Sequence, residues 1–146
     1  MVKIIDGDLF SSGAKFIVHQ VNCQGVMGSG IAAQVKKRYP TAFEEYKKIC
    51  SSSMLGNIQI IEAAGRHIVN AFAQDKYGYD GKMYTSMKAL RSCFEKIKNC
   101  TKENDVIAMP YKIGCCRGGA DWKQVYQMIC DVFKDRNVEL WRLDQG

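Results

Sequence analysis

Apolar positions along the chain follow two rhythms. Short runs at 2–5, 16–21, 58–62, 67–73, 106–109 and 138–142 are rich in Val, Ile and Phe, and most are bounded by Gly, Asp, Asn, Ser or Pro. These predict strands. Elsewhere helical spacing takes over. Ile31, Val35 and Tyr39 mark a helix over 31–38, and Pro40 opens a second at its first turn, with Phe43, Tyr46, Lys47 and Cys50 on one side. Met83, Met87, Leu90, Phe94 and Ile97 form the core stripe of the longest helix, about 84–98, and Val125, Ile129 and Val132 that of a last one starting near Asp121 or Trp122 and ending at Phe133. Ala64-Gly65 reads as the turn of a hairpin between the third and fourth strands. No repeat, linker or low-complexity segment interrupts the series. The alternation predicts a single α/β domain over 1–146, a mixed central sheet of about six strands sandwiched by helices in three layers.

Composition narrows the class. A chain of 146 residues supports one core rather than two, and 47% hydrophobic content with only two prolines describes an ordinary globular protein. No apolar run approaches a membrane span, and residues 1–6 lack signal-peptide architecture, so a cytoplasmic location with no membrane partner is expected. A monomer is the expected state. Seven cysteines without a C-x-x-C pair, and two distant histidines, give no metal-ligating pattern and suit free thiols in a reducing compartment. The net charge of +6 suits an anionic small molecule or a nucleic acid, but the lysines are scattered and choose neither.

Candidate chemistry lies in two strand–glycine loop–helix units. The first runs from the 16–21 strand through Asn22, Gly25, Gly28, Ser29 and Gly30 into the helix that begins at Ile31. The second runs from the 106–109 strand through Ile113, Gly114, Cys115, Cys116, Arg117, Gly118 and Gly119 to Asp121. Such loops let the backbone approach a phosphate, while free N–H groups at the following helix point toward its charge. The first does not match G-x-G-x-x-G and lacks the G-K-[ST] of a P-loop. An ordinary tight turn is the alternative for it. Taken together, two cradles beyond the ends of strands in one sheet suit a ligand with two phosphates, or one phosphate held between them. Asp8, after the first strand, offers an acceptor to adenine or a sugar, and Asn22 a donor and acceptor to a ribose. Arg117 suits a terminal phosphate or a carboxylate. Tyr77, Tyr79 and Trp122 are candidates to stack on a base or wall a sugar.

The stretch His19-Gln20-Val21-Asn22-Cys23-Gln24-Gly25-Val26-Met27-Gly28-Ser29-Gly30-Ile31-Ala32, preceded by Gly7-Asp8-Leu9 and followed by the 111–122 segment, resembles a macro domain over essentially the whole chain. It is most similar to the branch holding terminal ADP-ribose protein glycohydrolase, the ADP-ribose 1''-phosphate phosphatases and the antitoxins that remove ADP-ribose from DNA. The resemblance implies that Asp8, with the backbone of Leu9, binds the adenine amino group and that Asn22 holds the distal ribose. Gly28, Ser29, Gly30 and Ile31 would form the first phosphate loop, and Ile113 through Gly119 the second. Glycohydrolase members use a lysine from the middle loop, matched by Lys76, and an aspartate in the second loop. Here Gly118 stands at the aspartate's position, and the nearest carboxylate is Asp121. Phosphatase-like members pair a histidine, matched by His19, with a second-loop aspartate.

Two functions are therefore expected. One is hydrolysis of ADP-ribose 1''-phosphate, or of ADP-ribose joined to protein or DNA, without a cofactor; Lys76 would be the nucleophile, or His19 the acid–base group, with Asp121 moving protons. The other is a non-catalytic module that reads or sequesters ADP-ribose. The bland alternatives are a structural His19, a solvated Lys76 and an Asp121 that only caps its helix.

Overall fold

A computed structural model describes residues 1–143; residues 144–146, which the domain assignment of 1–146 includes, lie outside the described residues. The elements in chain order are β1 (Val2–Asp6), β2 (Phe16–Val21), α1 (Gly30–Arg38), α2 (Pro40–Ile49), β3 (Ile58–Ala63), β4 (Arg66–Phe72), α3 (Met87–Asn99), β5 (Val106–Pro110), α4 (Trp122–Val132) and β6 (Asn137–Arg142). The strands make one sheet in the order β1-β6-β5-β2-β4-β3. All neighbouring pairs are parallel except the β3–β4 hairpin. The carboxyl ends of β1, β6, β5, β2 and β4 therefore share one edge.

Strand alternation divides the core into layers. On β2, Phe16 and Val18 point to the layer containing Leu90 and Phe94 of α3 and Val125 and Ile129 of α4. Ile17, between them, packs instead with Val35 of α1 and Ala42 of α2. This is the three-layer sandwich that the patterning predicts. Tyr39 ends α1 and precedes Pro40, which stands at the first position of α2, where a missing N–H costs nothing.

The longest helix begins later than its stripe implies, at Met87 rather than near Tyr84. The N–H groups of Tyr84 and Thr85 both donate to the Gly118 carbonyl (2.7 and 3.0 Å), and Ser86 caps the helix through a bond from Ala89 N. Tyr84 and Thr85 are thus spent on fastening a loop, and Met83 is exposed.

Candidate functional site

One cleft of about 1130 Å³ runs along the shared carboxyl edge. At the β1/β6 end it is walled by Asp6, Trp141 and Arg142; at the β4 end by Tyr77, Gly78 and Tyr79; both glycine loops line its middle.

The first loop is held from beneath by a buried hydroxyl. Tyr46 is fully buried, and its hydroxyl accepts from the N–H groups of Gly25 (3.0 Å) and Val26 (3.1 Å). The same oxygen lies 2.8 Å from both the backbone carbonyl and Oδ1 of Asn22, to one of which it donates. Asn22 Nδ2 donates to the Val26 carbonyl (2.8 Å), and its Oδ1 accepts from Gln24 N (2.9 Å). Asn22 thus faces the cleft with its geometry fixed. Beyond it, Gly28, Ser29, Gly30 and Ile31 all line the cleft. Gly30 takes a φ of +60°, which favours glycine, and opens α1. Ser29 makes no side-chain cap bond, so the first N–H groups of α1, on residues that line the cleft, take no acceptor from it. Replacing Tyr46 by Phe should lower the unfolding free energy by about 1–2 kcal/mol, because the part-buried N–H groups of Gly25 and Val26 lose the hydroxyl as an acceptor. Urea unfolding of the variant measures this, and unchanged stability would mean that water replaces the hydroxyl.

The second loop is pinned by a polar network. Gln20 Nε2 donates to Gln74 Oε1 (2.8 Å) and Thr85 Oγ1 (2.7 Å), and Thr85 Oγ1 donates to the Gly114 carbonyl (2.8 Å). Ala120 N also donates to the Gly114 carbonyl (3.1 Å). Ile113, Gly114, Cys116, Arg117 and Gly118 line the cleft; Cys115 and Gly119 do not. Burial pushes the Cys115 thiol up to about 11, so it stays protonated at neutral pH. A side chain at Gly118 would sit 2.0 Å from Thr85 Oγ1 and 2.5 Å from the Gly114 carbonyl. The place where the resemblance puts an aspartate is already filled.

The charged candidates are dispersed. Lys76 is exposed and is not part of the lining. Asp121 caps α4, accepting from Lys123 N at 3.4 Å, and is likewise absent from the lining. Asp8 accepts from Phe10 N (3.0 Å) and pairs with Arg38 (3.6 Å), while Leu9 is buried in the core. The acidic residue lining the β1/β6 end is Asp6, bonded to Arg142 at 2.7 Å. Trp122 packs against Tyr111 rather than into the cleft.

His19 lies in the cleft floor but is only 1% exposed. Asn70 gives both of its amide protons to Ala42 O and Gln59 Oε1, so its Oδ1 is an acceptor, 2.5 Å from His19 Nε2. Burial pushes the imidazole down to about 4, with the Asn70 bond opposing in part. At neutral pH the ring is therefore uncharged, with its proton on Nε2 and Nδ1 buried without a partner among the described residues.

Sequence reasoning did not single out Tyr46, Gln20 or Thr85. The available signal was a polar Gln on the strand face shared with Phe16 and Val18, and a tyrosine on a helix face shared with Phe43 and Cys50, each of which needs a partner once buried.

The geometry has close counterparts. The macro domain profile matches residues 18–129, which include both glycine loops. A DNA ADP-ribosyl glycohydrolase of Mycobacterium tuberculosis is 29% identical over 140 residues, covering 92% of this chain and 39% of the relative. The chain thus spans about two-fifths of that protein's length. An ADP-ribose 1''-phosphate phosphatase of Debaryomyces hansenii is 25% identical over 180 residues, covering 99% of this chain and 100% of the relative. The solved macrodomain of Mycobacterium tuberculosis DarG matches with a TM-score of 0.83 at 27% identity, over 97% of each chain. With its fold, its two loops and most of its length accounted for in this way, the chain belongs to the macro domain family.

Proposed function

We propose that the cleft binds ADP-ribose lengthwise along the sheet edge and that the protein hydrolyses a derivative substituted on the distal ribose. The adenosine would lie toward the β1/β6 end, walled by Asp6, Trp141 and Arg142, the pyrophosphate between the two glycine loops, and the distal ribose against Asn22. The observation that carries this reading is the pair of loops facing one cleft, with the uncapped start of α1 as an anion site. Charge supports it: Asp6 and Arg142 neutralise each other, which leaves Lys112 and Arg117 without ion-pair partners among the described residues. The names of the two relatives both make ADP-ribose the group acted on. Protein and DNA are the candidate carriers of a conjugated ADP-ribose.

Hydrolysis would rest on the cleft's own polar atoms, since no carboxylate among the described residues lines the β4 end. The Asn22 amide would orient the ribose, and Arg117 would offset charge on the departing oxygen. A second reading, a module that binds ADP-ribose without turnover, is favoured by the dispersal of Lys76, Asp121 and His19. Calorimetric titration with ADP-ribose, followed by incubation with ADP-ribose 1''-phosphate and with ADP-ribosylated protein and DNA, separates the two. Release of phosphate or ADP-ribose supports hydrolysis, binding alone supports the module, and no binding removes both. Asn22→Ala should weaken ADP-ribose binding about tenfold or more in either case.

A further inference from the structure

Arg117 differs from the other cations of the cleft in where its side chain is held. Its backbone belongs to the second loop, between β5 and α4, but its guanidinium crosses to the β4 end and lies 4.6 Å from the ring centroid of Tyr79. Both residues line the cleft, and both are exposed. Neither a carboxylate nor a hydrogen-bond acceptor claims Arg117 among the described residues, whereas Arg142 at the opposite end is tied to Asp6. The next residue, Gly118, is anchored through its carbonyl to Tyr84 and Thr85. The arginine therefore projects from a fixed point.

A guanidinium resting on an aromatic face keeps its in-plane N–H groups free to fork onto an anion. The ring contact restricts the guanidinium before binding, so less conformational freedom remains to be lost. The pyrophosphate can be held by backbone N–H groups nearer β2 and β5. With ADP-ribose lying as proposed, Arg117 stands beyond them on the side where a substituent on the distal ribose would emerge.

We propose that Arg117 is the specificity-determining residue of the β4 end, a receptor for a phosphomonoester on the distal ribose. This rests on the reading that ADP-ribose occupies the cleft. The chain then prefers ADP-ribose 1''-phosphate to ADP-ribose itself, and to conjugates whose distal substituent is uncharged.

Displacement of a fluorescent ADP-ribose by each nucleotide, read within seconds of mixing, tests the proposal. The wild type should bind the phosphorylated nucleotide about tenfold or more tighter than ADP-ribose, the size of a charge-assisted fork. Arg117→Ala should bring that ratio close to one. Arg117→Lys, which keeps the charge and loses the fork, should retain part of it, and Tyr79→Ala should lower it by removing the platform. A wild-type ratio near one, or a ratio unchanged in Arg117→Ala, overturns the role of Arg117 while ADP-ribose binding still stands. If Arg117→Ala binds neither nucleotide, the Arg117→Lys and Tyr79→Ala ratios decide: a drop supports the proposal, and wild-type values overturn it. Failure of the wild type to bind ADP-ribose removes the functional reading and this inference with it.

Discussion

Gly118→Asp should abolish ADP-ribose binding and lower the unfolding free energy by about 4 kcal/mol, with Gly118→Ala costing about 2–3 kcal/mol. The reason is space. A Cβ at this position would meet Thr85 Oγ1 at 2.0 Å, the Gly114 carbonyl at 2.5 Å and Gln20 Nε2 at 3.0 Å. The loop cannot retreat, because the Gly118 carbonyl accepts from both Tyr84 N and Thr85 N. A carboxylate would add its charge beside the Gly114 carbonyl and displace Gln20 or Thr85 from a network in which Gln20 Oε1 is already buried without a partner among the described residues. Thr85→Ala should rescue Gly118→Ala only in part, since the contact with the Gly114 carbonyl remains. Urea unfolding and calorimetric titration of the three variants measure the effect. Wild-type stability and affinity in Gly118→Asp would show that Thr85 swings aside and that the position is open to a catalytic carboxylate after all.

The second large effect is a dependence of stability on pH. His19 titrates near 4 in the folded protein, because burial disfavours its charge, and near 6.5 when unfolded. Between those values the unfolded chain binds more protons, so stability rises with pH. The contribution of the neutral imidazole is complete above pH 6.5 and is lost as the pH falls toward 4, amounting to about 3 kcal/mol across the interval. Carboxylates also titrate in this range, so the measurement is a difference: unfolding free energy at pH 7 and pH 4.5 for the wild type and for His19→Gln. The wild type should lose about 2–3 kcal/mol more than the variant. Equal losses would place the ring in contact with solvent and restore it as a candidate acid–base group.

Most of the fold was legible in the sequence, because strand and helix periods are local and the turns carry their own residues. The Ala64-Gly65 hairpin, the Pro40 helix start and the two glycine loops are all short-range signals. What lay outside reach was distance in space. The late start of α3 comes from Gly118, 31 positions beyond Met87, and no periodicity encodes that. The candidate site divides in the same way. The loops that wrap the cleft were readable as motifs, whereas the surroundings of Lys76, Asp121 and His19 depend on which face of the molecule each reaches. Tyr46 looked like one more apolar stripe residue, although its hydroxyl is the member that ties the first loop together.

The sheet order has a consequence for the time course of folding. β1 has a single neighbour, β6, and Val2 pairs with Val138 across nearly the whole chain, while Gly7 N donates to Arg142 O. Closing so long a loop returns contacts only on one side of a strand whose Lys3, Ile4 and Asp6 stay exposed, so β1 should dock last and undock first, which amide hydrogen exchange of Val2–Asp6 would read as the weakest protection in the sheet. During synthesis the first strand emerges without a place to go until the last one follows it. Because Asp6 and Arg142 together wall one end of the cleft, that end should be completed in the final step of folding and be the first to open.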